Sequence, residues 1–201
     1  MAIKTILFDL GNVLLNFSHE KMCRQIAALF DVSADEVQEV FLSSGIYAEF
    51  DRGQLTEQDV LRQLEQRFGR DVALSNLQQA AGDIFEPNLE MHSLLRDLRK
   101  RGLRTVLLSN TCVTHIEWIR QHYETLSLMD DLVLSYEVGA SKPDAAIFDA
   151  ALEKIQCEPS ECLYTDDIAG HIEAGRQHGL QVELFTTAEK FKTALHKHGI
   201  K

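Results

Sequence analysis

Thr5-Ile6-Leu7-Phe8-Asp9-Leu10-Gly11-Asn12-Val13 is an apolar run that stops at a carboxylate followed by a Gly-Asn turn signal. A run that is apolar on both faces, without alternation, predicts a buried strand of a parallel sheet. Thr105–Leu108, Leu132–Leu134, Cys162–Tyr164 and Gln181–Leu184 read the same way. From Met91 onward, helical patterns separate these runs. Met91, Leu94, Leu95 and Leu98 recur at i, i+3, i+4 and i+7, and Ile147, Phe148, Ala151, Leu152 and Ile155 mark a second apolar helix face. Ile172 and Ala174 belong to a third helix, and Phe191 and Leu195 to a last one. Strand-helix alternation of this kind predicts an α/β fold with a doubly wound parallel sheet.

Between the first strand and this alternation lies a stretch with only amphipathic helical stripes and no strand pattern. Met22, Ile26, Leu29 and Phe30 form one stripe, Val37, Val40 and Phe41 another, and Val60, Leu61, Leu64 and Phe68 a third. Ser33 with Glu36, and Thr56 with Asp59, have the spacing of capping boxes at helix starts. The chain therefore divides into a core at residues 1–15 and 83–201 and a small helical insert, of four-helix-bundle type, at residues 16–82. An insert that leaves the C-terminal end of a strand lies over the sheet edge where α/β proteins bind ligands, as a lid would.

Composition narrows the function. The chain has 201 residues, with 20 Lys and Arg against 31 Asp and Glu, a formal net charge of −11. Nucleic-acid binding relies on clustered cations, so this balance argues against it, and against an anionic membrane surface. An acidic protein can still bind an anion where a metal ion and a few cations invert the local field. Cys23, Cys112, Cys157 and Cys162 form neither a CxxC pair nor a zinc spacing, and read as reduced thiols. The N-terminal apolar run is too short for a signal peptide and is broken by Asp9. The expectation is a cytoplasmic protein, monomeric or homodimeric.

Four predicted strands end in chemistry. Asp9 ends the first. Ser109-Asn110-Thr111 follows the second, with hydroxyl, amide and backbone N–H donors suited to phosphate oxygens. Lys142, in Ala140-Ser141-Lys142-Pro143-Asp144, stands just before a helix start, with Pro143 suited to its first turn. A cation gains nothing from the dipole there, so an anion nearby is the natural reason for it. Asp166 and Asp167 follow another strand, and two adjacent carboxylates call for a compensating cation such as Mg²⁺. Each feature alone reads equally well as turn, cap or loop chemistry. In a parallel sheet, however, all four converge on one edge.

These segments resemble the four motifs of the haloacid dehalogenase-like hydrolases: Asp9 in LFDLGNVL, Ser109 in VLLSN, Lys142 in SKPD, and the Asp166-Asp167 pair. The resemblance spans the chain and implies a Rossmann-like core with a helical cap. It further implies an Mg²⁺-dependent phosphatase acting on a small phosphorylated metabolite through an aspartyl-phosphate on Asp9. By resemblance Asp9, the Gly11 carbonyl, Asp166 and Asp167 hold the metal, Ser109 and Asn110 hold phosphoryl oxygens, and Lys142 neutralises charge. Tyr47 and Glu49, on the turn between cap helices, are placed to read the leaving group.

The family usually carries a second Asp two residues after the nucleophile, as general acid, and here Gly11 holds that position. Glu49 or Asp51 from the cap could replace it. Otherwise the leaving group needs little help, as the anomeric oxygen of a hexose 1-phosphate would, or the chain is a catalytically weak scaffold. The DLGN form of the first motif resembles that of sugar-phosphate phosphatases. A metal-independent 2-haloacid dehalogenase has no use for the acidic pair, and a phosphomutase ordinarily needs the acid that Gly11 replaces. His115, His122 and His171 read as solvent-facing, and Trp118 as packing in the core or against the cap.

Overall fold

The computed structural model of the chain describes residues 2–200. Strand β1 (Thr5–Phe8) turns sharply into β2 (Leu15–Phe17). A helical segment follows: α1 (His19–Phe30), α2 (Ala34–Val37) continued by a π-helical stretch at Gln38–Ser43, α3 (Ile46–Asp51), α4 (Glu57–Phe68) and α5 (Leu74–Gly82). β3 (Phe85–Pro87) then pairs antiparallel with β2. After it come α6 (Leu89–Lys100), β4 (Arg104–Ser109), α7 (Val113–His122), β5 (Asp131–Leu134) and α8 (Ser135–Val138). The chain continues with α9 (Ala145–Lys154), β6 (Cys162–Asp166), α10 (Ala169–Gln177), β7 (Gln181–Leu184) and α11 (Ala188–Lys197).

Five parallel strands form one sheet in the order β5-β4-β1-β6-β7. β1 is central, and the chain builds outward first on its β4 side and then on its β6 side. That reversal is the switch point beside which ligands sit in open α/β sheets. Side-chain alternation along the strands sorts the core into two layers. Ile6, Phe8, Leu107 and Leu163 pack towards α6, α7 and α11, while Leu7, Val106, Leu108 and Tyr164 pack towards α9 and α10. Both faces of β1, β4 and β6 are covered, which is why these inner strands lack polar alternation, while β7 at the edge is partly exposed.

The helical segment has no core of its own. Met22, Ile26, Phe41, Leu61 and Leu64 belong to the same apolar cluster as Phe8, Met91 and Ile116. Both capping boxes form: Ser33 with Glu36 starts α2, and Thr56 with Asp59 starts α4. α5 packs on α7, where the Gly82 backbone lies against Trp118, so that tryptophan is interface packing. A Cβ added at Gly82 would stand 2.8 Å from the indole and 2.9 Å from the Trp118 Cβ. Helix propensity favours Gly82→Ala by about 1 kcal/mol. Overpacking a rigid neighbour costs about 1–3 kcal/mol, so the contact should win and a thermal melt of the variant should show a lower Tm.

Two expectations need correction. Residues 16–82 were read as free of strands, yet β2 reaches Phe17 and, with β3, closes the point where the helical segment leaves and rejoins the sheet. Strands of three residues leave no periodicity to read, and this pairing is set by residues far apart in sequence. Pro143 does not occupy a first helical turn. α9 begins at Ala145 with Asp144 as its extended N-cap residue, and Pro143 lies outside the helix after a cis peptide bond with Lys142. Among the described residues no helix is long and apolar enough to cross a membrane, and all four cysteines are free.

Candidate active site

The strand ends deliver their side chains to one place. The Asp9 N–H still bonds the Thr165 carbonyl at 3.0 Å, so pairing with β6 runs right up to this carboxylate. Immediately beyond, Asn12 takes a positive φ of 56°, a conformation asparagine tolerates better than most residues. The turn it makes lets its side-chain amide donate to Asp167 Oδ2 at 3.0 Å. Carboxylate oxygens of Asp9, Asp166 and Asp167 all lie within 4.8 Å of one another.

Lys142 enters this cluster from the loop before α9, almost wholly buried. Its ammonium has three protons and three acceptors: Asp9 Oδ1 at 2.6 Å, Asp166 Oδ2 at 2.7 Å and the Leu108 carbonyl at 3.0 Å. Burial alone would lower its pKa, but Asp9 and Asp166 outweigh that and hold it above the ordinary value, fully charged. The lysine backbone is fixed from β4. Asn110 Oδ1 accepts from the Lys142 N–H at 2.7 Å, and Asn110 Nδ2 donates to the Lys142 carbonyl at 3.0 Å. The amide expected to face a phosphoryl group therefore bonds the lysine loop, and the hydroxyl of buried Ser109 has only a 3.4 Å contact with the Asn110 carbonyl.

The two acidic residues of the pair differ sharply. Asp166 is fully buried and accepts at every available position: Oδ1 from the Ile168 N–H (2.8 Å) and His171 Nδ1 (3.1 Å), Oδ2 from Lys142 and the Tyr164 hydroxyl (2.5 Å). Burial would raise its pKa, but the bonds from His171, Lys142 and Tyr164 prevail and keep it below the usual carboxylate range. Asp167 is more exposed and, among the described residues, accepts a side-chain hydrogen bond only from Asn12. For Asp9, burial dominates and lifts the carboxyl to about 6, with Lys142 pulling the other way. Three clustered carboxylates, two of them buried, with one lysine are short of positive charge, which fits a hard divalent cation. Asp9 and Asp167 have oxygens free to hold it directly, whereas Asp166 is saturated and would act through its neighbours.

Sequence reasoning missed several partners. His171, read as solvated, is bonded to Asp166, because α10 starts immediately after the acidic pair and brings its first turn back over it. Tyr164 lies two residues before Asp166 and so shares its face of β6, a signal the strand period does carry. His115, read as facing solvent, is buried; α5 and the helical segment cover the side of α7 on which it lies. Tyr47 is half-buried among His19, Phe41 and His115, with ring centroids at 5.3, 5.4 and 6.1 Å, while Glu49 is exposed on α3. Gly11 is covered by an aromatic ring: a Cβ there would stand 2.7 Å from Phe17. A surface groove of about 790 Å³ between Glu39, Ser43, Gln66 and Arg67 contains none of these residues.

The arrangement of Asp9, Lys142 and the acidic pair coincides with a match to the haloacid dehalogenase-like hydrolase family over residues 3–179. The chain belongs to that family. Among its relatives, D-ribitol-5-phosphate phosphatase from Bacteroides thetaiotaomicron is 29% identical over 186 residues, covering 89% of this chain and 90% of the relative. The sesquiterpene phosphatase astK from Aspergillus oryzae is 24% identical over 182 residues, covering 89% and 88%. A solved family enzyme from B. thetaiotaomicron, in complex with magnesium and inorganic phosphate, superposes with a TM-score of 0.81 at 24% identity over 92% of this chain and 95% of the other. At that identity the superposition speaks for the fold: a haloacid dehalogenase-like α/β core.

Proposed function

We propose that the chain is a magnesium-dependent phosphatase of the cytoplasm that hydrolyses a small sugar or sugar-alcohol phosphate. The observation that carries this reading is the buried Asp9–Lys142–Asp166 network with Asp167 beside it. Asp9 Oδ1 is held by Lys142, which leaves Oδ2 to attack phosphorus in line with the leaving oxygen. The new Asp9–phosphorus bond replaces the ester bond, and the released alkoxide takes up a proton. Water then attacks the aspartyl-phosphate, giving inorganic phosphate and returning Asp9.

Ser109 Oγ and the backbone N–H groups after it would hold phosphoryl oxygens, with Asn110 acting chiefly by fixing Lys142. Asp9, the Gly11 carbonyl and Asp167 would hold Mg²⁺, with Asp166 oriented around them. When bound, the ion supplies charge neutralisation for two anions brought together. Lys142 contributes positive charge through its bonds to Asp9 and Asp166. Residues 16–82 serve as the cap, and Tyr47 and Glu49 face the leaving group from it.

Phosphate release from a panel including D-ribitol 5-phosphate and hexose 1-phosphates, with Mg²⁺ and with EDTA, tests the reading. The expected result is turnover with the metal and its loss on chelation. Phosphate release indifferent to EDTA would overturn the metal dependence, and silence in both conditions would leave a haloacid dehalogenase or a scaffold, which halide release from a 2-haloacid separates.

A further inference from the structure

Four buried side-chain polar atoms among the described residues have no hydrogen-bond partner: Asp51 Oδ1, His115 Nε2, Trp118 Nε1 and Thr165 Oγ1. Leaving such a group unsatisfied costs about 1–3 kcal/mol, so each calls for an explanation. Two of them, Asp51 and His115, lie where the helical segment meets the loop that follows Ser109.

The C-terminal end of α3 is anchored there. The Ser135 hydroxyl accepts the Thr111 N–H at 2.8 Å and lies 2.6 Å from the Asp51 carbonyl, which it can donate to. Two residues on, Gly53 has a φ of +68°, and any Cβ would meet the Tyr136 carbonyl oxygen at 2.2 Å. Asp51 is thus held beside Thr111 and close to Cys112. Tyr47, one turn earlier on α3, faces His115. His19 touches both Tyr47 and Phe17, at 5.3 and 4.9 Å between ring centroids, and Phe17 covers Gly11. These rings form a continuous collar from the loop after Asp9 to the start of α7.

Burial drives His115 down to about 3, with His19 adding to the effect, so the ring is neutral, and with its other nitrogen engaged by the Ala81 backbone the unpartnered Nε2 offers a lone pair. Burial also lifts Asp51 to about 7, against the pull of Arg52, so its carboxyl takes up a proton near neutrality and can donate as well as accept. A ring acceptor beside a carboxyl that donates and accepts matches hydroxyls, which do both, better than a second phosphate or a carboxylate. The family's leaving groups range from a sugar alcohol to a sesquiterpene among the relatives above, so discrimination must come from residues outside the four motifs.

We propose that Asp51 and His115 form a hydroxyl-binding subsite for the leaving group, selecting polyhydroxylated over apolar phosphoesters; this rests on the phosphatase reading. The test compares kcat/KM for D-ribitol 5-phosphate with that for p-nitrophenyl phosphate, whose leaving group carries no further hydroxyl. Asp51→Ala and His115→Phe should each lower the first by about 5–150-fold, the range that 1–3 kcal/mol per lost bond implies. His115→Phe should change the second by less than about threefold. Asp51→Asn and His115→Gln, which keep hydrogen-bonding capacity, should recover most of the loss. Equal loss on both substrates would show a structural role and overturn the proposal, as would no loss on either. So would a wild-type enzyme that cleaves p-nitrophenyl phosphate but no polyol phosphate, while the phosphatase reading stood. A wild type that cleaves neither would remove both.

Discussion

Asp9→Asn should abolish phosphate release, by at least roughly 10³-fold in kcat, while the protein stays folded. The substitution keeps the shape of the side chain and a carbonyl oxygen for Lys142, so the interior contacts survive. On the proposed mechanism it removes the anionic nucleophile and one of the carboxylates that would hold the metal. Folding should not suffer, because burial already works against the charge: the carboxyl is lifted to about 6, and a neutral amide avoids that desolvation. Far-UV circular dichroism and a thermal melt beside the rate measurement separate the two effects. Full activity in this variant would defeat the covalent mechanism.

Lys142→Met should cost more than the rate. The ammonium is 1% exposed and is the sole cation in salt-bridge contact with Asp9 among the described residues, and Asp166 has only His171 besides. Methionine matches the length and leaves two buried carboxylates without their lysine. Breaking a buried pair in this way costs about 3–5 kcal/mol, far more than an intact pair contributes over an apolar replacement. For a chain of this size the expected drop in Tm is about 6–20 °C. A surface comparison makes the contrast clear: Lys100 with Asp97 is an exposed pair, of the kind worth about 0–1 kcal/mol. A Lys142→Met protein that melts with the wild type would show that the network is not the stabilising centre described above.

The inner strands β1, β4 and β6 are legible because burial on both faces leaves its mark in them, whereas β7 is partly exposed at the sheet edge, so its bounds, Gln181–Leu184, are legible without full burial. The capping boxes were legible because both partners are three residues apart. The acidic pair and Lys142 were legible as residue types, and the parallel topology explains why they meet. What stayed hidden depends on contacts between distant segments. The β2–β3 ribbon joins residues 15–17 to 85–87, and neither half has enough length to announce itself. His115 lies on a weakly amphipathic helix, so its burial follows from where α5 and α3 come to rest. The Asn110 clamp on Lys142 spans 32 positions, and no local pattern distinguishes it from an asparagine that caps a helix.

The ring that Phe17 lays over Gly11 makes positions 11 and 17 epistatic. An aspartate at position 11 would bring its first carbon to 2.7 Å from the aromatic edge, so the ring has to shift to admit it. Shrinking residue 17 would make the room and would loosen the edge contact with His19 and the neighbouring Phe85. On the phosphatase reading, this pair leaves the departing oxygen's proton to another residue or to water.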